Sequence, residues 1–569
     1  MVPLKKHKFL VNIIGSLLII AFIVLVIRIG KVQLTDHHKY VQLAKQQQSK
    51  KIDMPARRGM ILDRNGTKLA ESLQLGSVYA DPAEIQDITY AAHQLSKVLK
   101  LKSSKLTNLL NKDKRFVWIK RKINDKDIDA VERLSLKGIY VKREYLRFYP
   151  NRQLAAHVLG FTDVDEKGLD GIELLYNDTL SGKAGYRIME RDALQRPISM
   201  PDAEFQRPVH GDNVVLTIDA NIQRFAEEEL EEACKKWAPL SATAIVMDPV
   251  TAEVLAMANY PAYDPNKFKK YPSSVRRNLA VTDCYELGSV MKPIVVSGLF
   301  ERGLAKPGDI IYCENGVWNI NGRAMRDTHK HGNLTVTDVI AQSSNIGTGK
   351  LGMRLGNENL FKLLKQFNFG EKTGIELPGE SWGIILPLKK WTECSVRNIS
   401  IGQGIAVTSM QFITAFCSMP NGGLLLKPSI IKSKVSNDDK TAEGVSGPQV
   451  VRRVMSARVA RDVMNPILRK VVTDGTAKNA NLEEYDVAGK TGTAQKVVDK
   501  QYSHTKFIGS FIAYAPAERP RVCVLVVINE PKNGAYYGGT VASPVVREII
   551  ARSLLYLKVE PSQCKIAMQ

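Results

Sequence analysis

No Cys-x-x-Cys spacing occurs in the sequence. The seven cysteines (Cys234, Cys284, Cys313, Cys394, Cys417, Cys523 and Cys564) are scattered and odd in number, which argues against both a disulfide framework and a zinc site. No repeat of fixed period is present. No zinc-finger, basic-zipper or RNA-recognition signature accompanies the basic residues, which are spread along the chain and not gathered into blocks. Acidic residues are in deficit, 58 against 80 Lys+Arg, for a net charge of +22. Such a surface attracts phosphates, membrane surfaces or acidic polymers, and without a nucleic-acid signature the last two are the better partners. What remains is ordinary: 569 residues, 44% hydrophobic and 24% charged, a globular composition with room for about three or four domains.

Long apolar runs are also scarce, and the one present is informative. Phe9 to Ile27 reads FLVNIIGSLLIIAFIVLVI, without a charge, and at ~1.5 Å per residue it comes close to the ~30 Å of a bilayer core. Lys5, Lys6 and Lys8 precede it, so the positive-inside rule predicts a short cytoplasmic tail over 1–8, a span over 9–28 and everything later outside. The competing reading is a cleaved signal peptide. That would have a shorter apolar region followed by small residues, whereas RIGKVQL follows here. The exported body then hangs on a single tether, which further disfavours nucleic acid as a partner.

Residues 29–50 are polar with sparse apolar positions, as expected of a stalk. Arg64-Asn65-Gly66 between short apolar pieces is a hairpin signal. From there to about 206 short strands, Gly-rich turns and charged helices such as 123–135 alternate, which reads as a smaller irregular module over 51–206. At GDNVVLTIDANIQRFAEEELEEACKKW a β-rich run ends at Asp219 and helical spacing begins. A larger domain over 207–558 opens with the hairpin pattern ATAIVMDPVTAEVLAMANYP and closes with SFIAYAPAERPRVCVLVVINEP, with helical stretches between. Strands at both sequence ends predict one sheet covered by helices, a mixed α/β (α+β) fold. Residues 433–449, polar and turn-rich, are expected to be a mobile loop, and 559–569 a C-terminal tail.

Chemistry concentrates in YELGSVMKPIVVSG, residues 285–298. On a helix, positions i and i+3 share a face, so Ser289 Oγ and Lys292 Nζ come within hydrogen-bonding reach. A lysine can take the serine proton only if burial or a nearby cation lowers its pKa, and Met291, Pro293, Ile294 and Val295 offer that burial. Alone the spacing is weak, since it recurs, for instance at Ser429 and Ser562. What separates Ser289 is its company: Ser343-Ser344-Asn345 supplies a second hydroxyl and a carboxamide, and Lys490-Thr491-Gly492-Thr493 another lysine, two hydroxyls and a glycine that lets an extended substrate approach. The three motifs in this order match the penicillin-recognising set. A second Lys-Thr-Gly, at 372–374, sits between glycines and a proline, where a structural turn is expected. His329 and His331 lack further ligands nearby and read as a surface loop, and the Gly-Gln-Gly at 402–404 reads as a turn, not a dinucleotide site. No metal and no cofactor is expected.

With these motifs the chain resembles the class B penicillin-binding proteins, monofunctional D,D-transpeptidases that cross-link peptidoglycan. RRGMILDRNGTKLA (57–70) looks like that family's opening signature. LRFYPNRQLAAHVLGF and GLDGIELLYNDTLSGKAG, with Gly171 and Glu173, are similar to its pedestal motifs. The resemblance implies that these segments interlock as a rod under a β-lactamase-like transpeptidase domain. VVINEPKNGAYYGGTVASPV is most similar to the division-specific FtsI type, and the absence of wall-binding repeats after it fits the shorter Gram-negative form, held in the inner membrane with its catalytic domain in the periplasm.

The roles so implied are Lys292 as base, Ser289 as nucleophile, Ser343 as proton relay, Asn345 as holder of the peptide amide, and Lys490, Thr491 and Thr493 as readers of the substrate carboxylate. The backbone N–H groups of Ser289 and Thr493 form the oxyanion hole. Stem peptides are the implied substrate, β-lactams covalent inhibitors, and a SEDS-type glycosyltransferase with other divisome proteins the implied partners. The second motif has Ser344 where related β-lactamases have aspartate, and no glutamate for deacylation is evident, so slow hydrolysis is expected. A hydrolytic carboxypeptidase or β-lactamase, and an idle scaffold or β-lactam sensor, are the alternatives.

Overall fold

The computed structural model describes residues 4–191, 197–198, 205–320, 323–437, 442–444, 447–499 and 501–562. They form two compact units, one of residues 1–56 and 182–210, the other of 57–181 and 211–569. In the first, helix α1 (Leu4–Gly30) is 27 residues long, about 40 Å at 1.5 Å per residue. Its apolar side chains face outward all round, Phe9 68% and Ile27 66% exposed, and a helix apolar on every face and covered by no protein is suited to lipid. After one π-turn the expected stalk continues as helix α2 (His37–Gln48), and Ser49–Met54 then pairs antiparallel with Gly185–Arg191.

The second unit opens with β1 (Ile61–Leu62) and β2 (Lys68–Ala80), joined by the predicted Asn-Gly hairpin. Asp63 Oδ1 accepts the Asn65 and Thr67 amides at 2.9 and 2.7 Å, and Gly66 takes the left-handed φ of 88° that the turn requires. β2 pairs with β3 (Val117–Ile123) and β4 (Ile139–Phe148). Over them lies a separate small core of Val78, Leu95, Leu106 and Ile128. The charged helix expected at 123–135 is α3 (Asp125–Arg133), capped by Asn124, whose side chain accepts the Asp127 amide at 2.8 Å.

Three segments distant in sequence meet at a buried carboxylate. Arg58 Nε and Arg147 Nε bond the two oxygens of Glu173 at 2.7 and 2.6 Å, and the Tyr149 hydroxyl adds a third bond at 3.2 Å. Burial alone would raise the Glu173 carboxyl, but the Arg147 and Arg58 guanidiniums outweigh it and hold it below the usual 4.5.

β5 (Asn213–Leu216) pairs parallel with β1, and Asp219 then caps α4 (Ala220–Trp237) by accepting the Asn221 and Ile222 amides. The main sheet is antiparallel. Its strands β6 (Ser241–Met247), β7 (Val254–Tyr260), β11 (Ala488–Val498), β12 (Gln501–Ala515) and β13 (Val522–Asn529) lie in the order β7-β6-β13-β12-β11. The two sequence-end hairpins thus form one sheet, with β11 on its outer edge. Between the hairpins run α5 (Lys292–Glu301), the hairpin β8 (Val317–Ile320) and β9 (Arg323–Arg326), α6 (Asn345–Gln366) and α7 (Glu393–Ser400). α8 (Ser543–Tyr556) packs against α4. The loop expected over 433–449 is in part a strand: β10 (Ile431–Val435) pairs with β5, while 438–441 and 445–446 lie outside the described residues. Sequence pattern could not reveal it, because the partner strand is some two hundred residues away. Cys564 and the rest of 563–569 also lie outside the described residues.

Candidate active site

The stretch around Ser289 turns before it becomes a helix. Gly288 to Met291 is a single 3-10 turn, Lys292 is the first residue of α5, and Pro293 follows where a missing N–H costs nothing. α5 is buried from Lys292 to Phe300, which is why its sequence is apolar on all faces. Ser289 itself is half-buried.

Lys292 is fully buried. Its Nζ bonds the Ser343 carbonyl at 2.6 Å, Ser343 Oγ at 3.2 Å and Asn345 Oδ1 at 2.8 Å. The expected hydrogen bond from Lys292 to Ser289 is not formed. The amine reaches past its own turn to the Ser-Ser-Asn segment, where a carbonyl and a carboxamide replace lost water better than a neighbouring hydroxyl does. Burial pulls its pKa down to about 7, against a smaller opposing pull from Asp327.

The second motif is held by strain and by a cap. Ser343 sits in the left-handed region at φ 61°, a conformation that costs a non-glycine residue about 1–3 kcal/mol and that aims both its carbonyl and its hydroxyl at Lys292. Ser344 caps α6, accepting the Gly347 amide at 2.9 Å and donating to Asp327 Oδ2 at 2.6 Å. Asp327 Oδ1 accepts the Asn345 and Ile346 amides at 2.6 and 3.0 Å. A carboxylate at the start of α6, whose first helical run ends at a kink at Gly356, meets its free N–H groups and dipole.

The third motif enters on the edge strand β11. Lys490, fully buried, bonds Ser343 Oγ at 3.0 Å and the Thr491 carbonyl at 3.1 Å. Two lysines therefore share one serine hydroxyl, and burial together with Lys292 holds Lys490 well below the usual lysine range. Thr491 Oγ1 and Thr476 Oγ1 are 2.7 Å apart, and Thr493 Oγ1 accepts the Gly538 amide at 3.1 Å. Gly492 has a packing role besides the one expected of it. A Cβ there would lie 2.5 Å from Ser510 Oγ, 2.9 Å from Val290 Cγ1 and 3.0 Å from the Leu287 carbonyl, so the glycine lets the strand close on the Ser289 turn as well as leaving the edge bare.

Lys292, Ser343, Asn345 and Lys490 are thus joined by hydrogen bonds, and β11 at Gly492 packs against the turn that carries Ser289. The sequence reading missed Asp327, Thr476 and Gly538, and it missed that Gly402 belongs to the same wall: the Gly288 amide donates to the Gly402 carbonyl at 3.1 Å, and a Cβ on Gly402 would lie 2.1 Å from the Gly288 carbonyl. The Gly-Gln-Gly is a turn as expected, with φ 81° at Gly402 and 77° at Gly404. The other Lys-Thr-Gly wraps a carboxylate: Glu380 accepts the Thr373 amide at 2.6 Å and hydroxyl at 2.5 Å and the Gly374 amide at 3.2 Å. His329 and His331 stack edge-to-face on a loop, and among the described residues no three His, Cys, Asp or Glu side chains cluster as a metal site. A recess of about 620 Å³ beside Met419, Asn421, Arg461 and Glu518 holds none of the site residues, whereas one of about 310 Å³ is bordered by Asn345, Gln403 and Gln495.

Residues 242–551 match the penicillin binding protein transpeptidase domain, and residues 53–216 the penicillin-binding protein dimerisation domain. Stage V sporulation protein D of Bacillus subtilis is 35% identical over 573 residues, spanning 99% of this chain and 88% of that protein. The peptidoglycan D,D-transpeptidase FtsI of Escherichia coli K12 is 32% identical over 512 residues, 89% of this chain and 84% of that protein. Penicillin binding protein 3 of Mycobacterium tuberculosis, solved with aztreonam, superposes with a TM-score of 0.70 at 28% identity, covering 90% of this chain and 98% of that one. Two domain matches in the right order, relatives aligned over almost the whole length and a shared fold agree with the three converging motifs, and the chain belongs to the penicillin-binding protein transpeptidases.

Proposed function

We propose that the chain is a membrane-anchored peptidoglycan D,D-transpeptidase, with a pedestal over 51–206 and a catalytic domain over 207–558, that cross-links stem peptides through an acyl-enzyme on Ser289. The single observation that carries this is the fully buried Lys292 amine, one helical turn from Ser289 and bonded to Ser343 and Asn345, where burial lowers its pKa toward that of a working base.

Ser289 Oγ adds to the carbonyl carbon between the last two D-alanines while Lys292 Nζ takes its proton. The oxyanion lies between the backbone N–H groups of Ser289 and Thr493, a contact worth roughly 3–4 kcal/mol in other enzymes. As the C–N bond breaks, the proton returns from Lys292 through Ser343 Oγ to the departing D-alanine nitrogen. Asn345 holds the peptide amide, and Lys490, Thr491 and Thr493 receive the terminal carboxylate. An amine from a neighbouring stem then attacks the ester, releasing Ser289. β-Lactams acylate the same oxygen, but their ring-opened leaving group stays attached, and hydrolysis is slow.

The N-terminus lies in the cytoplasm and the catalytic domain in the periplasm, at the inner membrane of a dividing cell. Residues 9–27 and the pedestal contact a SEDS-type glycosyltransferase; exchanging residues 9–27 for an unrelated span should abolish co-purification, and unaltered association would remove this partner. The central test is fluorescent penicillin. Wild type should be labelled and Ser289→Ala should not, and label retained by Ser289→Ala would refute the proposal.

A further inference from the structure

The cavity of about 310 Å³ beside the catalytic cluster shares Asn345 with it and, among the described residues, has the arginines Arg326 and Arg397 in its wall but no aspartate or glutamate. Arg397, on α7, is only 6% exposed. Among the described residues its guanidinium makes one hydrogen bond, from Nη2 to Cys394 Sγ at 3.0 Å, and lies 5.9 Å from the Trp318 ring. A guanidinium carries five N–H donors, and a thiol is a weak acceptor. A cation nine-tenths buried against sulfur and a ring face lacks the anion that ordinarily compensates such burial. Arg326, at the exposed end of β9, likewise enters no ion pair among the described residues, while its carbonyl accepts Asn345 Nδ2 at 2.9 Å and so ties this wall to the catalytic cluster.

The position of the cavity identifies which part of the substrate reaches it. Gln495, also in the wall, is two residues beyond Thr493 on edge strand β11, about 7 Å along the same face. A donor peptide laid antiparallel on that edge, its terminal carboxylate at Lys490 and Thr491, passes its upstream residues toward Gln495. The first of these is the third residue of the stem, directly before the acylated D-alanine.

We infer that this cavity is a subsite for a carboxylate on the side chain of the stem peptide's third residue, with Arg397 as its buried counter-ion and Arg326 at the rim. The chain therefore selects stems whose third residue is a diamino dicarboxylic acid over those with a diamino monocarboxylic acid. The inference rests on the transpeptidase reading and deepens it.

The test measures D-alanine release from three pentapeptides, whose third residue is diaminopimelate, its side-chain amide, or lysine, each with the second-residue carboxylate free or amidated. The expected result is a kcat/KM at least tenfold higher for free diaminopimelate, whatever the state of the second residue. Arg397→Gln should bring the ratio close to one, and Arg397→Lys should restore part of it, which a merely structural arginine would not do. Should Arg397→Gln fail to fold, Arg326→Gln at the exposed rim should lower the same ratio. Equal turnover of the three peptides by wild type overturns the inference, as does a preference that follows the second-residue carboxylate. Penicillin labelling separates the levels: labelling with no peptide preference removes the subsite and leaves the transpeptidase, whereas absence of labelling on Ser289 removes both.

Discussion

Lys292 and Lys490 both point at Ser343 Oγ, and the two amines cannot both be charged at low cost in a buried site. With Lys292 near pH 7, its base form is lost as pH falls, so penicillin acylation should drop about tenfold per pH unit on the acid side of 7, measured as the second-order rate of labelling. Lys292→Met should lose at least a hundredfold at every pH. Asp327 pulls Lys292 upward, so Asp327→Asn should move that acid limb to lower pH and also cost about 1 kcal/mol through the lost helix cap, seen in paired pH–rate and thermal-unfolding curves. The three motifs were legible in the sequence because the chemistry fixes residue type and local spacing. Asp327 was not: it acts on residues 17 to 19 positions later, through a turn that no local pattern encodes.

Elements bring these residues into range, and β11 depends on one glycine to do so. Gly492→Ala would drive a methyl into the Leu287 carbonyl and Val290 and push the edge strand off the Ser289 turn. Since a displacement of about 1 Å at a reacting site can cost a hundredfold, acylation should fall at least tenfold with little change in unfolding temperature. In the dimerisation-domain region, Glu173→Gln leaves Arg58 and Arg147 buried without their anion and should cost about 3–5 kcal/mol. The Glu173 carboxyl titrates below its unfolded value, so its stabilisation is complete above pH 4.5 and is lost as pH falls through the folded value. The gap between wild type and Glu173→Gln in denaturant unfolding should therefore narrow in acid. The hairpins, α3 and the start of α4 could be read from period and turn residues, whereas β10 could not, since it joins the sheet through β5, far earlier in the chain.

At the scale of the whole molecule, α1 keeps its apolar side chains exposed among the described residues, while the second unit buries one large core and two smaller ones. Full-length protein should stay with membranes after washing in high salt, which screens the attraction of a +22 chain to anionic lipid. A chain lacking residues 1–30 should leave the pellet under the same wash, and retention would place the membrane contact elsewhere. The first strand of the second unit has an order-of-events consequence. β1 finds one neighbour at 213–216, which in turn is flanked by 431–435, and Arg58 waits for Glu173. A ribosome delivers residues 213–216 long after β1 has paired with β2, so through that interval the hairpin keeps one bare edge open to proteases, and a product truncated before residue 173 would in addition leave Arg58 without its carboxylate.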